Sequence, residues 1–305
     1  MDNRSAAVPE KSLSQRVREK IELECRLLGV SPGTHGLVIK SGNAALATLL
    51  AVDIGNTNVT AGLFDGGRLT ARWAYATDGK KTEDEHALLL TGLLAVKGVS
   101  ASDIDAAVMC SVVPPATRVV KEALSQLLGH EPLVVGPGVR TGIRINYDRP
   151  QDVGADRIVD AVAAFRLYGG PDVIVDFGTA TVFDAVTADG EYIGGAIAPG
   201  INVAAEALYQ ATAQLRRVEF AAPPKAIGRS TVTSLQSGLL FGYVGLVEGM
   251  VRRFRQELSP DDPSKCVVVA TGGLSSVIKD HTEAFNHVDP DLTLVGLRFI
   301  HEMYR

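Results

Sequence analysis

Asp53-Ile54-Gly55-Asn56-Thr57-Asn58-Val59-Thr60 follows the apolar run Leu49-Leu50-Ala51-Val52 and continues through Ala61-Gly62-Leu63-Phe64 to Asp65-Gly66. The run reads as a buried strand that ends at Asp53, turns on a glycine and returns as a second strand to a hairpin signal. The same design recurs at Val173-Ile174-Val175-Asp176-Phe177-Gly178-Thr179-Ala180-Thr181-Val182-Phe183-Asp184, which also runs on to an Asp-Gly pair, Asp189-Gly190. Setting Asp53 on Asp176 pairs Gly55 with Gly178 and Val59 with Val182, and leaves the two Asp-Gly pairs one residue out of register. The pattern is that of an internal duplication, one copy per lobe. A turn of the form Asp-x-Gly-x-Thr can grip a phosphate, because glycine admits close backbone approach and amides and hydroxyls supply donors. Its aspartate then faces the phosphates and can hold Mg²⁺. Either copy alone also reads as a plain hairpin with an Asx-type turn, but two copies in one chain favour the phosphate site.

Outward from these turns, helical spacing predicts helices over 83–94 and 116–128, and a strand ends near Met109-Cys110-Ser111-Val112-Val113-Pro114. A third strand, Val267-Val268-Val269-Ala270, enters a turn at Thr271-Gly272-Gly273. Strands and helices interleaved twice over predict an α/β protein with two similar lobes, 49–165 and 166–305. Residues 1–48 read differently: apolar positions at helical spacing over 12–28 precede the loop Ser31-Pro32-Gly33-Thr34-His35-Gly36. That segment is expected to be an appendage, either an accessory helix or sequence upstream of the true start.

The composition is that of a folded, soluble protein, with 46% apolar and 21% charged residues. A net charge of -5 without a dense basic run argues against a nucleic-acid partner. No apolar run reaches the roughly 20 residues of a membrane span, and none follows Met1 as a signal core. Three separated cysteines, Cys25, Cys110 and Cys266, suggest neither disulfides nor a metal cluster, and a cytoplasmic location is expected. The six histidines lack the spacing of metal ligands. Cys110 reads as a buried small residue, Glu83-Asp84-Glu85 as a solvated helix start, and Phe241 and Tyr243 as packing residues.

The stretch richest in chemistry is Tyr147-Asp148-Arg149-Pro150-Gln151-Asp152-Val153-Gly154-Ala155-Asp156-Arg157, ahead of a helix-like segment over 158–165. A helix start favours anions and is expected to keep Asp156 ionised, able to accept a hydroxyl proton, while Arg157 can bind a carboxylate. A helix start merely decorated with an aspartate is the plainer alternative.

The paired turns resemble the phosphate loops of the acetate and sugar kinase, heat-shock chaperone and actin superfamily, in which two ribonuclease-H-like (actin-like) lobes clamp ATP in a nucleotide cleft. Within it, Asp-Ile-Gly-Asn-Thr, Ser-Val-Val-Pro, Gly-Ala-Asp-Arg, Asp-Phe-Gly-Thr-Ala-Thr, Gly-Gly-Ala-Ile-Ala-Pro-Gly and Leu-Gln-Ser-Gly stand in the order seen in type III pantothenate kinases. The resemblance runs from residue 49 to the C-terminus. It implies ATP-dependent phosphorylation of pantothenate to 4′-phosphopantothenate, the first step of coenzyme A biosynthesis, by a homodimer using Mg²⁺ and K⁺ or NH₄⁺. By the same resemblance, residues 53–60 and Thr179 contact ATP, Asp156 accepts the proton, and Asp176 holds the monovalent cation. Tyr147, Gly154, Ala155, Asp156 and Arg157 bind pantothenate, with Thr231 reaching it from the partner subunit. Two departures stand out: residues 1–48 have no family counterpart, and Arg229-Ser230 replaces a frequent lysine-asparagine pair. A kinase of another small hydroxylated substrate would lack the Tyr147 to Arg157 segment. A non-catalytic accessory factor for transcription would have no need of Asp53, Asp156 and Asp176 together.

Overall fold

A computed structural model describes residues 48–212 and 215–304. The helix expected over 12–28, the loop after it and Cys25 lie outside the described residues. The first sheet begins with an antiparallel meander, β1 (Thr48–Ile54), β2 (Asn58–Asp65) and β3 (Arg68–Ala76), and adds β4 (Ala106–Ser111) and β5 (Leu133–Val134) in parallel, in the order β3-β2-β1-β4-β5. Helices α1 (Glu83–Val96) and α2 (Pro114–Leu128) supply the crossovers. After β6 (Arg144–Ile145) and α3 (Ala155–Tyr168), a second meander follows as β7 (Asp172–Phe177), β8 (Ala180–Val186) and β9 (Glu191–Pro199). Helices α4 (Ile201–Ala211) and α5 (Thr231–Leu258) lead to β10 (Val267–Thr271), and the short α6 (Ser275–Ile278) to β11 (His287–Val288). The chain then closes on α7 (Leu292–Glu302). The second sheet has the order β11-β10-β7-β8-β9-β6, so without β6 it repeats the first strand for strand, parallel and antiparallel pairings included. The duplication read from two turns therefore extends to whole sheets.

Local chemistry sets the helix ends. Thr82 and Glu85 close a capping box at α1, where Glu83, Asp84 and Glu85 form the acidic first turn. Two prolines open α2, and Gly129 ends it at φ 74. The helix predicted over 158–165 begins earlier, at Ala155, which brings Asp156 and Arg157 into its first turn.

Four apolar clusters show how the layers stack. On its outer face the first sheet buries Leu50, Val52 and Ile54 against α1 and α2. Its inner face buries Leu49, Ala51, Val108 and Cys110 against Val159 and Val162 of α3 and Leu294, Leu297 and Ile300 of α7. The inner face of the second sheet meets the other side of α3 through Ile174, Val186, Tyr192 and Ala161, and α5 covers its outer face. Alternation along a strand then fixes where the polar residues point. Asp53 shares the inner face with Leu49 and Ala51, and Asp176 shares it with Ile174. Both carboxylates are thereby aimed at the central helix pair.

That pair packs closely. A Cβ at Gly296 on α7 would collide with the carbonyl oxygen of Val159 on α3 and stand 2.7 Å from Val159 Cγ1. Gly296→Ala is expected to lower stability by about 1–3 kcal/mol in urea unfolding, overpacking outweighing the better helix propensity of alanine. An unchanged midpoint would show that the helices can separate freely. No described helix is long and apolar enough to cross a membrane.

Candidate active site

The two glycine turns end the central strands of their sheets and meet. Thr57 Oγ1 lies 2.7 Å from Thr179 Oγ1, a hydroxyl-to-hydroxyl hydrogen bond joining one lobe to the other. In the first turn the Gly55 amide donates to the Asn58 carbonyl at 3.0 Å, and the Thr77 hydroxyl donates to the Gly55 carbonyl at 2.7 Å. In the second, the Gly178 amide donates to the Ala180 carbonyl at 3.0 Å. The turns differ in length: Asp53 pairs with Thr60, whereas Asp176 pairs with Val182. The ungapped alignment therefore slips by one after the glycine. Thr60, rather than Val59, corresponds to Val182, and Thr57 finds its counterpart in Thr179. Asn56, Thr57 and Asn58 are exposed, Ile54 and Val59 are core residues, and Thr60 is half-buried.

Beneath these turns lies a group of aspartates. The Ser-Val-Val-Pro stretch runs beside the end of β1, where the Val112 amide donates to the Ile54 carbonyl at 3.1 Å. A Cβ on Gly154 would lie 3.3 Å from Val112 Cγ1 and 2.5 Å from Asp156 Oδ1, so only glycine lets the carboxylate fold back over the helix start. The Arg157 amide donates to that oxygen at 2.8 Å. One turn on, Asp160 is 4% exposed, and its Oδ1 has no hydrogen-bond partner. The third turn, after β10, brings Gly272 at φ 84 against the Asp176 carboxylate and the Phe177 backbone.

Burial and mutual repulsion dominate the electrostatics. The Asp53 carboxyl is pushed up to about 7 by burial and then by Asp156, while the Cys110 thiol, donating at 3.3 Å, opposes the rise. Asp176 is also pushed up to about 7, by burial and then by the charges of Asp156, Asp53 and Asp184. Asp160 is held well above the carboxylate range by burial and then by Asp176. The helix start was expected to keep Asp156 ionised, but burial raises its pKa against the pull of the Arg157 amide and guanidinium. Cys110 is buried, as expected, and its thiol is held in the protonated form by burial and by Asp53.

Among the described residues no ion pair reaches Asp53, Asp160 or Asp176. Oxygen donors with unneutralised charge suit hard cations such as Mg²⁺ and K⁺. No three histidine, cysteine or acidic side chains among the described residues converge as a metal cage. The donor set fits a cation held by one or two carboxylates together with phosphate oxygens.

Arg157 turns inward. Its Nε and Nη2 donate to Asp184 Oδ1 at 2.9 and 2.6 Å, and the Tyr192 hydroxyl donates to the same oxygen at 2.7 Å. Tyr147 is 38% exposed, with its ring 6.3 Å from that of Tyr192. Thr231 lies apart, exposed at the first position of α5 behind the Ser230 cap. Phe241 packs with the second core, and the Tyr243 hydroxyl donates to the Pro199 carbonyl at 2.8 Å. Sequence reading missed Asp160, Asp184 and Tyr192. The available signal was a charged residue at an inward position of a strand or helix that otherwise reads as core.

Residues 49–253 match the family model described as type III pantothenate kinase. A Moorella thermoacetica protein named type III pantothenate kinase is 48% identical over 254 residues, which span 83% of this chain and 98% of that protein. A Dehalococcoides mccartyi protein of the same name is 49% identical over 260 residues, 85% of this chain and 97% of its own. Among solved structures, a Campylobacter jejuni protein described as a Baf family transcriptional activator superposes with a TM-score of 0.52 at 18% identity, covering 84% of this chain and 98% of that one. At that identity the likeness bears on the fold alone, and the fold is the two-lobed one expected from the sequence.

Proposed function

Because the chain belongs to the type III pantothenate kinase family, we propose that it transfers the γ-phosphoryl group of ATP to the primary hydroxyl of pantothenate, giving 4′-phosphopantothenate for coenzyme A synthesis. The observation that carries the site assignment is the burial of Asp53 and Asp176 near enough to Asp156 to feel its charge, beside two turns tied through Thr57 and Thr179. Phosphoryl transfer needs positioning and charge stabilisation above all.

In this reading residues 53–60 and Thr179 hold the ATP phosphates through turn amides and hydroxyls. Asp53 would hold Mg²⁺ and Asp176 a K⁺ or NH₄⁺ ion, and these cations, when bound, neutralise charge on the phosphates. Asp156 takes the proton from the attacking hydroxyl, a task that its raised pKa suits. Tyr147 and the Gly154 to Arg157 segment hold pantothenate. The protein acts as a homodimer in which Thr231 reaches the partner's site. Ile227 and Val232, 84% and 50% exposed beside it, support a covered surface there. The net charge of -5 supports no nucleic-acid partner, and the free thiols of Cys110 and Cys266 support a cytoplasmic location.

A coupled ADP-release assay tests the reading. ADP should form when pantothenate is supplied and faster when K⁺ is present; equal ADP release with and without pantothenate refutes it. Thr57→Val should raise KM for ATP about five- to tenfold, with the pantothenate KM little changed, as the cross-turn hydrogen bond and a phosphate donor are lost together. Unchanged ATP kinetics would remove Thr57 from the phosphate site.

A further inference from the structure

Asp184, Tyr192 and the Gly194-Gly195 pair surround the Arg157 guanidinium on its inner side. Asp184 lies on β8 directly opposite Ile174, so its side chain points to the inner face of the second sheet, where α3 begins. It is 3% exposed, and a single oxygen, Oδ1, accepts from Arg157 Nε, Arg157 Nη2 and the Tyr192 hydroxyl. Tyr192 is fully buried, and its ring lies 5.8 Å from Arg157 Cζ. On β9, Gly195 stands across from Asp184. A Cβ there would collide with the Phe183 carbonyl and come within 2.9 Å of both Arg157 Nη2 and Asp184 Oδ1. At Gly194, where φ is 125, a Cβ would lie 3.2 Å from Tyr147 Cε2. The two glycines thus let the Arg157 guanidinium with Asp184, and the Tyr147 ring, lie close against the backbone of β9.

A buried ion pair of this kind adds little stability over a well-packed apolar pair. Its orientation is another matter. A guanidinium carries five N–H donors in a rigid plane. With Nε and one Nη2 hydrogen held by Asp184, rotation about the side chain is stopped and the remaining donors keep a fixed direction beside Tyr147. The backbone of the same residue holds Asp156 Oδ1, so the anchor also steadies the carboxylate next to it.

We propose that Asp184, supported by Tyr192 and the close packing that Gly194 and Gly195 allow, is a positioning residue that makes Arg157 the reader of the substrate's carboxylate and so sets specificity for an acid over its neutral analogues. The proposal rests on the pantothenate reading above. Asp184→Asn keeps the size and one acceptor oxygen but loses the charge. It should raise KM for pantothenate about tenfold or more and leave KM for ATP within about twofold. With the alcohol analogue, in which CH₂OH replaces the carboxylate, it should change KM by less than about twofold, so the preference for the acid collapses. In an Arg157→Lys background the same change should add little, because the residue it acts through has been altered. Tyr192→Phe retains the ring and should shift pantothenate KM in the same direction by about two- to threefold, which decides the matter if Asp184→Asn does not fold. Equal losses with the acid and the alcohol, or an unchanged pantothenate KM in a folded variant, overturn the proposal. Wild-type protein that releases no ADP with pantothenate refutes instead the underlying reading, and that result is separable from any variant.

Discussion

Asp156→Asn should lower kcat for pantothenate phosphorylation by a factor on the order of 10²–10⁴, the range typical of a lost general base. Binding should persist, because the turns proposed to hold phosphate, and Arg157 with its Asp184 anchor, remain in place. Asparagine retains an oxygen for the Arg157 amide, which donates to Asp156 Oδ1 at 2.8 Å, so the helix start keeps its geometry. It also removes one of several crowded carboxylates, and the melting temperature should hold or rise. The pH profile gives a second reading of the same residue. Burial raises the pKa of Asp156, so kcat/KM in the wild type should climb with pH through an acid limb above the ordinary carboxylate range. That limb should vanish in the variant. Near-normal turnover by a folded Asp156→Asn protein would sink the assignment of the base.

The second large effect concerns stability without cations. Asp53 and Asp176 titrate near 7 in the folded protein, against 3.8 for the free side chain. Between those values the folded state keeps protons that the unfolded chain has released, so stability falls as pH rises from about 4 to about 7. Asp160, Asp172 and Asp184 are shifted in the same direction. Asp53 and Asp176 can each cost on the order of 2–4 kcal/mol at neutral pH, and shared repulsion makes the costs less than additive. Metal-free Asp53→Asn should therefore melt several degrees above the wild type at pH 8 and differ little from it at pH 4. Adding Mg²⁺ should narrow the gap at pH 8 by stabilising the wild type more. Melting temperatures independent of pH over that interval, with no gain from Asp53→Asn, would show that the carboxylates are not in conflict.

Much of this was legible because it is local. Asp53, Gly55, Asp176 and Gly178 stand at fixed offsets from apolar runs, and a strand's period of two then places both aspartates on the faces that meet α3. Register was not legible, since the second turn is one residue shorter and nothing in Gly178-Thr179-Ala180 marks the deletion. Asp160 and Asp184 escaped notice for a different reason. Each is a single charge within an apolar stretch, and its partners come from other elements, Thr293 far along the chain in one case and Arg157 with Tyr192 in the other. The glycine motif at 194–195 was visible as letters, but its role depends on Arg157 and Tyr147, which pack against it.

The central helices α3 and α7 belong to both halves at once. The first sheet buries one flank of α3 and much of α7, the second sheet buries the other flank of α3, and Gly296 fastens the two helices at Val159. Neither repeat is thus a module that could be excised whole: cut between Tyr168 and Asp172, each piece would carry a hydrophobic surface shaped for its sibling and only part of the carboxylate group. If the two repeats descend from one shorter gene, its product had to work as a pair, with each copy lending the other its last helix.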